Sequence, residues 1–148
     1  MRRILLVCDG NACRSPMAKA ILEQILSSRG LTSKISVDSA AIGTPTLPTA
    51  TEEAKKVIKQ LYGKDLLANH KSKSVTQISL DNFDLILAMQ ERHKRLLPQH
   101  KTYTLKEYAG ITGDINDPWS TDLEAYRKCR DEIKRCLEIG IERIISDC

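Results

Sequence analysis

The stretch richest in chemistry is VCDGNACRSP, positions 7–16, where a cysteine stands six residues before an arginine. The apolar run Ile4, Leu5, Leu6, Val7 ends on Cys8, and Arg14, Ser15 and Pro16 close the stretch. Successive backbone N–H groups that run from a strand into a helix N-terminus form a nest for an anion. Gly10 and Asn11 both tolerate the left-handed backbone that such a nest needs. The planar fork of Arg14 suits two oxygens of one tetrahedral oxyanion. The stretch has neither the Gly-Lys-Ser/Thr of a nucleotide-binding P-loop nor G-x-G-x-x-G. Cys8 at the mouth of the nest turns binding into catalysis. The same amides, helix dipole and guanidinium favour a thiolate, and a thiolate facing a bound phosphate is a nucleophile set for in-line attack.

The elements that must position this loop are legible from periodicity. Arg3 to Val7 reads as a buried strand. Ser15 is expected to cap the following helix, with Pro16 in its first position. Met17, Ile21, Leu22, Ile25 and Leu26 form its apolar stripe, and Gly30 ends it. Lys34 to Ser39 reads as a second strand. After a Pro/Thr loop, a helix carrying Ala54, Val57, Ile58 and Leu61 is expected, with Thr49 and Glu52 as its capping box. Phe83 to Met89 predicts a third strand, and Gln90 to Leu97 a helix. Tyr103 to Leu105 predicts a short fourth strand. A last helix over about Asp122 to Ile145 turns Tyr126, Cys129, Ile133, Leu137, Gly140, Ile141 and Ile144 to one face. Strands alternating with helices predict an α/β three-layer sandwich, with a central, mainly four-stranded parallel sheet and helices on both faces. Sites in such sheets gather at the carboxyl ends of the strands, where the cysteine loop sits.

Composition narrows the class. The chain has 148 residues, consistent with a single domain over 1–148, and 41% hydrophobic residues. The net charge of +4 is dispersed, with no dense basic arm for nucleic acid, and leaves a mild field favouring anionic substrates. Arg2 and Arg3 precede apolar residues, but Asp9 breaks the run too early for a secretory signal. No stretch approaches the roughly 20 apolar residues of a membrane span. The five cysteines are odd in number and include no C-x-x-C, against a disulfide framework or a zinc site. Cys129 and Cys136 are separated by about 10 Å of helix and read as buried small hydrophobes. A cytoplasmic protein with reduced thiols and no metal or cofactor is expected.

CDGNACRSP resembles the C-x5-R-[S/T]-P loop of the low-molecular-weight protein tyrosine phosphatases. The likeness extends along the chain: VDSA at 37–40, LILAM at 85–89, and NDPW at 116–119, which is similar to the family's D-P-[YWF] acid loop. TLKEYAG at 104–110 resembles bacterial members, among them protein-arginine phosphatases. The resemblance implies hydrolysis of phosphotyrosine and aryl phosphates on phosphorylated proteins through a cysteinyl-phosphate, releasing inorganic phosphate. It assigns the nucleophile to Cys8, the oxyanion grip to Arg14 and the general acid to Asp117. Asp9, Gly10, Asn11, Ala12, Cys13 and Ser15 would line or form the binding loop, with Ser15 donating to the Cys8 sulfur. Trp119 would line the entrance, and Ser39 and His70 would hold Asn11. Cys13 matches a second loop cysteine able to capture oxidised Cys8 as a disulfide.

Some positions depart from that pattern. The family usually has a small or apolar residue at position 9 and often a branched aliphatic at 12, where this chain has Asp9 and Ala12. Asp9 either lines the pocket mouth, favouring a cationic leaving group, or points outward to a surface lysine. The alternative reading is therefore a protein-arginine phosphatase. Arsenate reductases of this loop type need two further cysteines after mid-chain, and residues 71–128 hold none. A sugar-transport phosphocarrier would not need Arg14 or Asp117, and a non-catalytic anion-binding regulator would not need all of Cys8, Arg14 and Asp117.

Overall fold

The computed structural model describes residues 1–118 and 122–146. Strands β1 (Arg2–Cys8), β2 (Ile35–Ala41), β3 (Leu85–Ala88) and β4 (Thr102–Thr104) form one parallel sheet in the order β2-β1-β3-β4. β1 is central, with Ile4 opposite Val37 of β2 and Leu85 of β3. Its residues Ile4 to Val7 are all fully buried, as a strand covered on both faces requires. The expected α/β architecture is the observed one.

The two covering layers are unequal. One face carries α1 (Arg14–Ser28), α2 (Glu52–Tyr62) and α5 (Leu123–Ser146). Met17, Ile21 and Leu22 of α1 and Ile133, Leu137 and Ile144 of α5 meet Ile4, Leu6 and Leu87 there. The seven residues expected to share one face of the last helix are all buried. The other face is thin. Leu5, Val7, Ile86 and Ala88 pack against Phe83 and Leu97, with Val75, Ile78 and Leu80 at the margin. Those last three belong to 3-10 turns or their flanks, and the helix nearby, α3 (Glu91–Lys94), is a single turn. No helix among the described residues is long and apolar enough to cross a membrane.

Among the boundaries that differ from expectation, three have a clear physical cause. The helix after β3 stops at Lys94, three residues short of Leu97, which turns down onto the Phe83 cluster just before Pro98. Leu105 does not extend β4 but opens α4 (Leu105–Tyr108). Thr104 caps that helix by accepting from the Glu107 N–H at 3.0 Å, and Glu107 Oε2 accepts in return from the Thr104 N–H at 3.2 Å. The cap of α2 is Thr51 rather than Thr49. Thr51 accepts from the Ala54 N–H at 3.2 Å while its own N–H donates to the Ala12 carbonyl at 2.9 Å. That tie to the cysteine loop fixes the helix start where local pattern alone leaves two threonines.

Because β1 crosses to β2 on one side and β3 lies on its other side, the order in which strands are added reverses between β1 and β3. The crevice above the carboxyl ends of those two strands is where ligands bind in such sheets. Cys8 ends β1 and Met89–Gln90 follow β3 at that crevice. Thr51→Ala is expected to lower unfolding stability by about 0.5–2 kcal/mol, and Thr49→Ala by less than about 0.5 kcal/mol. Urea unfolding of the two variants checks it, and equal losses would place the cap elsewhere.

Candidate active site

The loop from Asp9 to Cys13 turns on one residue. Asn11 has φ 54° and is completely buried, a left-handed conformation that asparagine accepts more readily than most side chains. Every polar group it offers for holding that turn is matched. Nδ2 donates to Ser15 Oγ at 2.8 Å and to Ser39 Oγ at 3.0 Å, and Oδ1 accepts from the Lys73 N–H at 3.1 Å. Its carbonyl accepts from His70 Nε2 and from the Ser72 hydroxyl, each at 2.8 Å. Burial, with Lys19 and Lys73 nearby, pushes the His70 pKa below its ordinary value, and the hydrogen bond to the Asn11 carbonyl places a proton on Nε2.

Gly10 does not adopt positive φ; its need is space. A Cβ there would lie 2.3 Å from Thr46 Oγ1, so only glycine lets the 41–50 loop close over this turn.

Neighbouring carbonyls are also engaged by protein partners. Those of Cys8, Gly10 and Ala12 accept from the N–H groups of Ile42, Thr46 and Thr51, and that of Cys13 from Met17. The amides of Gly10, Ala12 and Cys13 meet no acceptor among the described residues and are left for an anion. They border a cavity of about 220 Å³ lined by Cys8, Asp9, Gly10, Ala12, Cys13, Arg14, Thr46 and Asp117. A larger groove of about 520 Å³ elsewhere is lined by Glu91, Glu107 and Asp114, with no cationic side chain among its lining residues.

Helix α1 begins at Arg14 with Cys13 at its cap and no side-chain cap, which corrects the expectation for Ser15. The Ser15 hydroxyl has other partners. It accepts from Asn11 Nδ2 and lies 2.9 Å from Cys8 Sγ, which the Ser15 N–H also approaches at 3.4 Å. Pro16, two residues inside the helix, costs nothing there because first-turn amides have no intrahelical partner.

Arg14 is 1% exposed, and its guanidinium is held on two edges. Nη1 donates to Gln90 Oε1 and to the Ile115 carbonyl, both at 2.8 Å, and Nη2 donates to Asp9 Oδ2 at 2.9 Å. Nε is buried without a partner among the described residues. An unsatisfied buried donor of this kind costs about 1–3 kcal/mol unless a ligand meets it. Ile115, whose N–H donates to the Met89 carbonyl at 2.9 Å, also fixes the loop that carries Asp117. Asp117 Oδ2 stands 3.7 Å from Arg14 Nη2, and Oδ1 accepts from the Cys13 thiol at 3.6 Å. Burial, with the neighbouring Cys8 and Asp117 charges, pushes the Cys13 thiol far up, so it stays protonated.

Asp9 does not reach a surface lysine. It turns inward, to Arg14, to His93 Nε2 at 2.9 Å and to Arg92. Burial opposes its ionisation, but hydrogen bonds from Arg92 and His93 and the nearby Arg14 guanidinium outweigh burial and hold its pKa at about 2. Cys8, Asp9, Gly10, Asn11, Ala12, Cys13, Arg14, Ser15, Ser39, His70 and Asp117 therefore come together, and Trp119 lies outside the described residues. Gln90, His93, Ser72 and the backbone of Lys73 and Ile115 were not anticipated. Their one signal is position, since Gln90 and His93 follow the carboxyl end of β3.

With its folded pKa depressed, Asp9 contributes stability that is present above about pH 4, where an unfolded-chain aspartate is ionised, and is lost as pH falls through about 2. The urea midpoint of the wild type is expected to drop more steeply between pH 4 and pH 2 than that of Asp9→Asn. Parallel curves would mean that the ion pairs contribute nothing.

The geometry has relatives. A family model described as low molecular weight phosphotyrosine protein phosphatase matches residues 3–145. A protein-arginine-phosphatase of Bacillus subtilis is 36% identical over 151 residues, spanning 97% of each chain. The low molecular weight protein-tyrosine-phosphatase PtpB of Staphylococcus haemolyticus is 33% identical over 144 residues, 88% of this chain and 91% of its own. The crystal structure of a low molecular weight protein tyrosine phosphatase from T. tengcongensis superposes with a TM-score of 0.88 at 36% identity, covering 97% of this chain and 99% of that one.

Proposed function

The chain belongs to the low molecular weight phosphotyrosine protein phosphatase family, and from that premise we propose that it hydrolyses phosphotyrosine in phosphorylated proteins, with Cys8 as nucleophile. The observation that carries this reading is Cys8 Sγ, within 2.9 Å of Ser15 Oγ, at a cavity edged by open amides and by the unpartnered Nε of Arg14. The Cys8 thiolate attacks phosphorus, and the ester P–O bond breaks as the leaving oxygen takes a proton from Asp117. The loop amides and Arg14 hold the three equatorial oxygens as charge spreads over them. Water then attacks the cysteinyl-phosphate and gives its proton to Asp117. The P–S bond breaks and inorganic phosphate leaves. The Ser15 hydroxyl, which already accepts from Asn11, donates to sulfur and makes the thiolate a better leaving group. Reduced Cys8, Cys13, Cys129 and Cys136 fit a cytoplasmic setting.

A phosphoarginine substrate is the second reading, favoured by the likeness to a protein-arginine-phosphatase and by the Asp117 carboxylate among the cavity-lining residues. A departing guanidine nitrogen needs a proton as the phenol oxygen does, and carboxylates suit its charge. Comparing kcat/KM on phosphotyrosine and phosphoarginine peptides decides between them.

Cys8→Ser is expected to abolish p-nitrophenyl phosphate turnover while inorganic phosphate still binds, because the amides are untouched. Residual turnover above about 1% would argue against a covalent intermediate. Asp117→Asn is expected to lower kcat about 10²–10⁴-fold on phenyl phosphate and much less on p-nitrophenyl phosphate, whose phenolate leaves with little help. Equal losses on the two esters would remove Asp117 from the acid role.

A further inference from the structure

We propose that Asp9 and His93 are positioning residues, a dyad that fixes the rotation of the Arg14 guanidinium so that one chosen edge faces the bound phosphoryl group. The proposal rests on the phosphatase reading and adds two residues to it.

A guanidinium has five N–H donors. Three of those on Arg14 have acceptors: both on Nη1, at Gln90 Oε1 and the Ile115 carbonyl, and one on Nη2, at Asp9 Oδ2. The remaining two are the N–H of Nε and the second on Nη2, for which Asp117 Oδ2 at 3.7 Å is beyond hydrogen-bond reach. Nε and Nη2 share an edge of the planar group, so the open donors lie on neighbouring nitrogens, of the kind that grip two oxygens of one anion. The network thus determines which edge stays open. Gln90 and Ile115 are neutral acceptors, and the buried guanidinium takes its direct charged partner from Asp9.

Asp9 is itself held. His93 is 1% exposed, and its Nδ1 accepts from the Gln90 N–H at 3.2 Å, so its proton sits on Nε2. That proton is donated to Asp9 Oδ1 at 2.9 Å. Arg92, more than half exposed, binds Asp9 Oδ2 from the surface and donates to Gln90 Oε1 at 3.0 Å. Asp9 therefore meets donors on both oxygens, and its charge is balanced by guanidinium groups on either side. A carboxylate arranged this way orients Arg14, whereas one meant to bind a substrate cation would be left open.

The dyad acts on the transition state, in which the equatorial oxygens must meet the open donors in a fixed plane, more than on ground-state binding. Asp9→Asn removes one negative charge near the anion, which favours ground-state phosphate, but frees the guanidinium to rotate. It is expected to lower kcat for p-nitrophenyl phosphate by tenfold or more and to weaken inhibition by vanadate, a trigonal-bipyramidal mimic, by a similar factor. KM and inhibition by inorganic phosphate are expected to change less than threefold. His93→Leu is expected to lower kcat in the same sense, and His93→Gln, which keeps a donor near the Nε2 position, to restore most of that loss. The double variant Asp9→Asn with His93→Leu is expected to be little worse than Asp9→Asn alone, as for residues acting as one unit. A kcat within threefold of wild type in folded Asp9→Asn overturns the proposal. So does equal weakening of vanadate and phosphate, which would make Asp9 a binding residue, or His93→Gln as impaired as His93→Leu, which would make His93 packing. If Asp9→Asn does not fold, the two His93 variants carry the test. Wild-type turnover is measured first. Its absence overturns the phosphatase reading itself, whereas turnover with unimpaired variants overturns this proposal alone.

Discussion

The site depends on one left-handed residue. Asn11 turns the loop so that its carbonyls are engaged by protein partners, and the turn survives because side chains from three directions hold it. Ser39 comes from β2, Ser15 from α1, and His70 and Ser72 from the segment beyond α2. A left-handed non-glycine residue costs of order 1–3 kcal/mol, and such a conformation persists where the surroundings over-determine it. Four side chains and one backbone amide on Asn11 over-determine this one. The anion nest is a consequence, since once the carbonyls are engaged outside, the amides have one direction left. The loop is therefore built before any phosphate arrives, and binding need not order it.

Electrostatics follows the same plan. Arg14 carries a full positive charge with almost no exposure, which is tolerable because one direct carboxylate partner and two neutral acceptors surround it. Its two open donors are an incomplete shell that a dianionic phosphoryl group completes. Asp117 pairs with the same guanidinium at the longer distance of 3.7 Å and lines the cavity that a leaving group would enter.

Much of this was legible from the amino-acid order, for identifiable reasons. Cys8, Arg14 and Ser15 lie within one turn of chain, so their spacing alone encodes a cradle, and Asp117 was found through an acid-loop motif. The long elements were equally plain, because β1 is an unbroken aliphatic run and α5 repeats its apolar positions at helical spacing. The residues behind Arg14 were not legible. Gln90 caps and His93 lies in a four-residue helix too short to show periodicity, and Ile115 and Lys73 act through backbone atoms that any residue type would supply. Asp9 departs from the family pattern, yet its direction depends on a histidine 84 positions away. Thr51 prevailed over Thr49 for a similar reason, a hydrogen bond to Ala12 that exists only in the folded chain.

The thin layer over the second face has a dynamic consequence. Regions with few buried apolar contacts open at a lower free energy than the whole molecule, and they do so as local units. Gln90 and His93 follow the end of β3 beside that layer, while Cys8, Cys13 and Met17 pack in the thick one. Fluctuation of α3 would loosen Arg14 and leave the cysteine loop intact. On warming, turnover would then decline while the core stays folded, and amide protons around α3 would exchange ahead of those in α1 and α5. The protein would lose catalytic power first and its shape later, with the anion cradle outlasting the guanidinium that serves it.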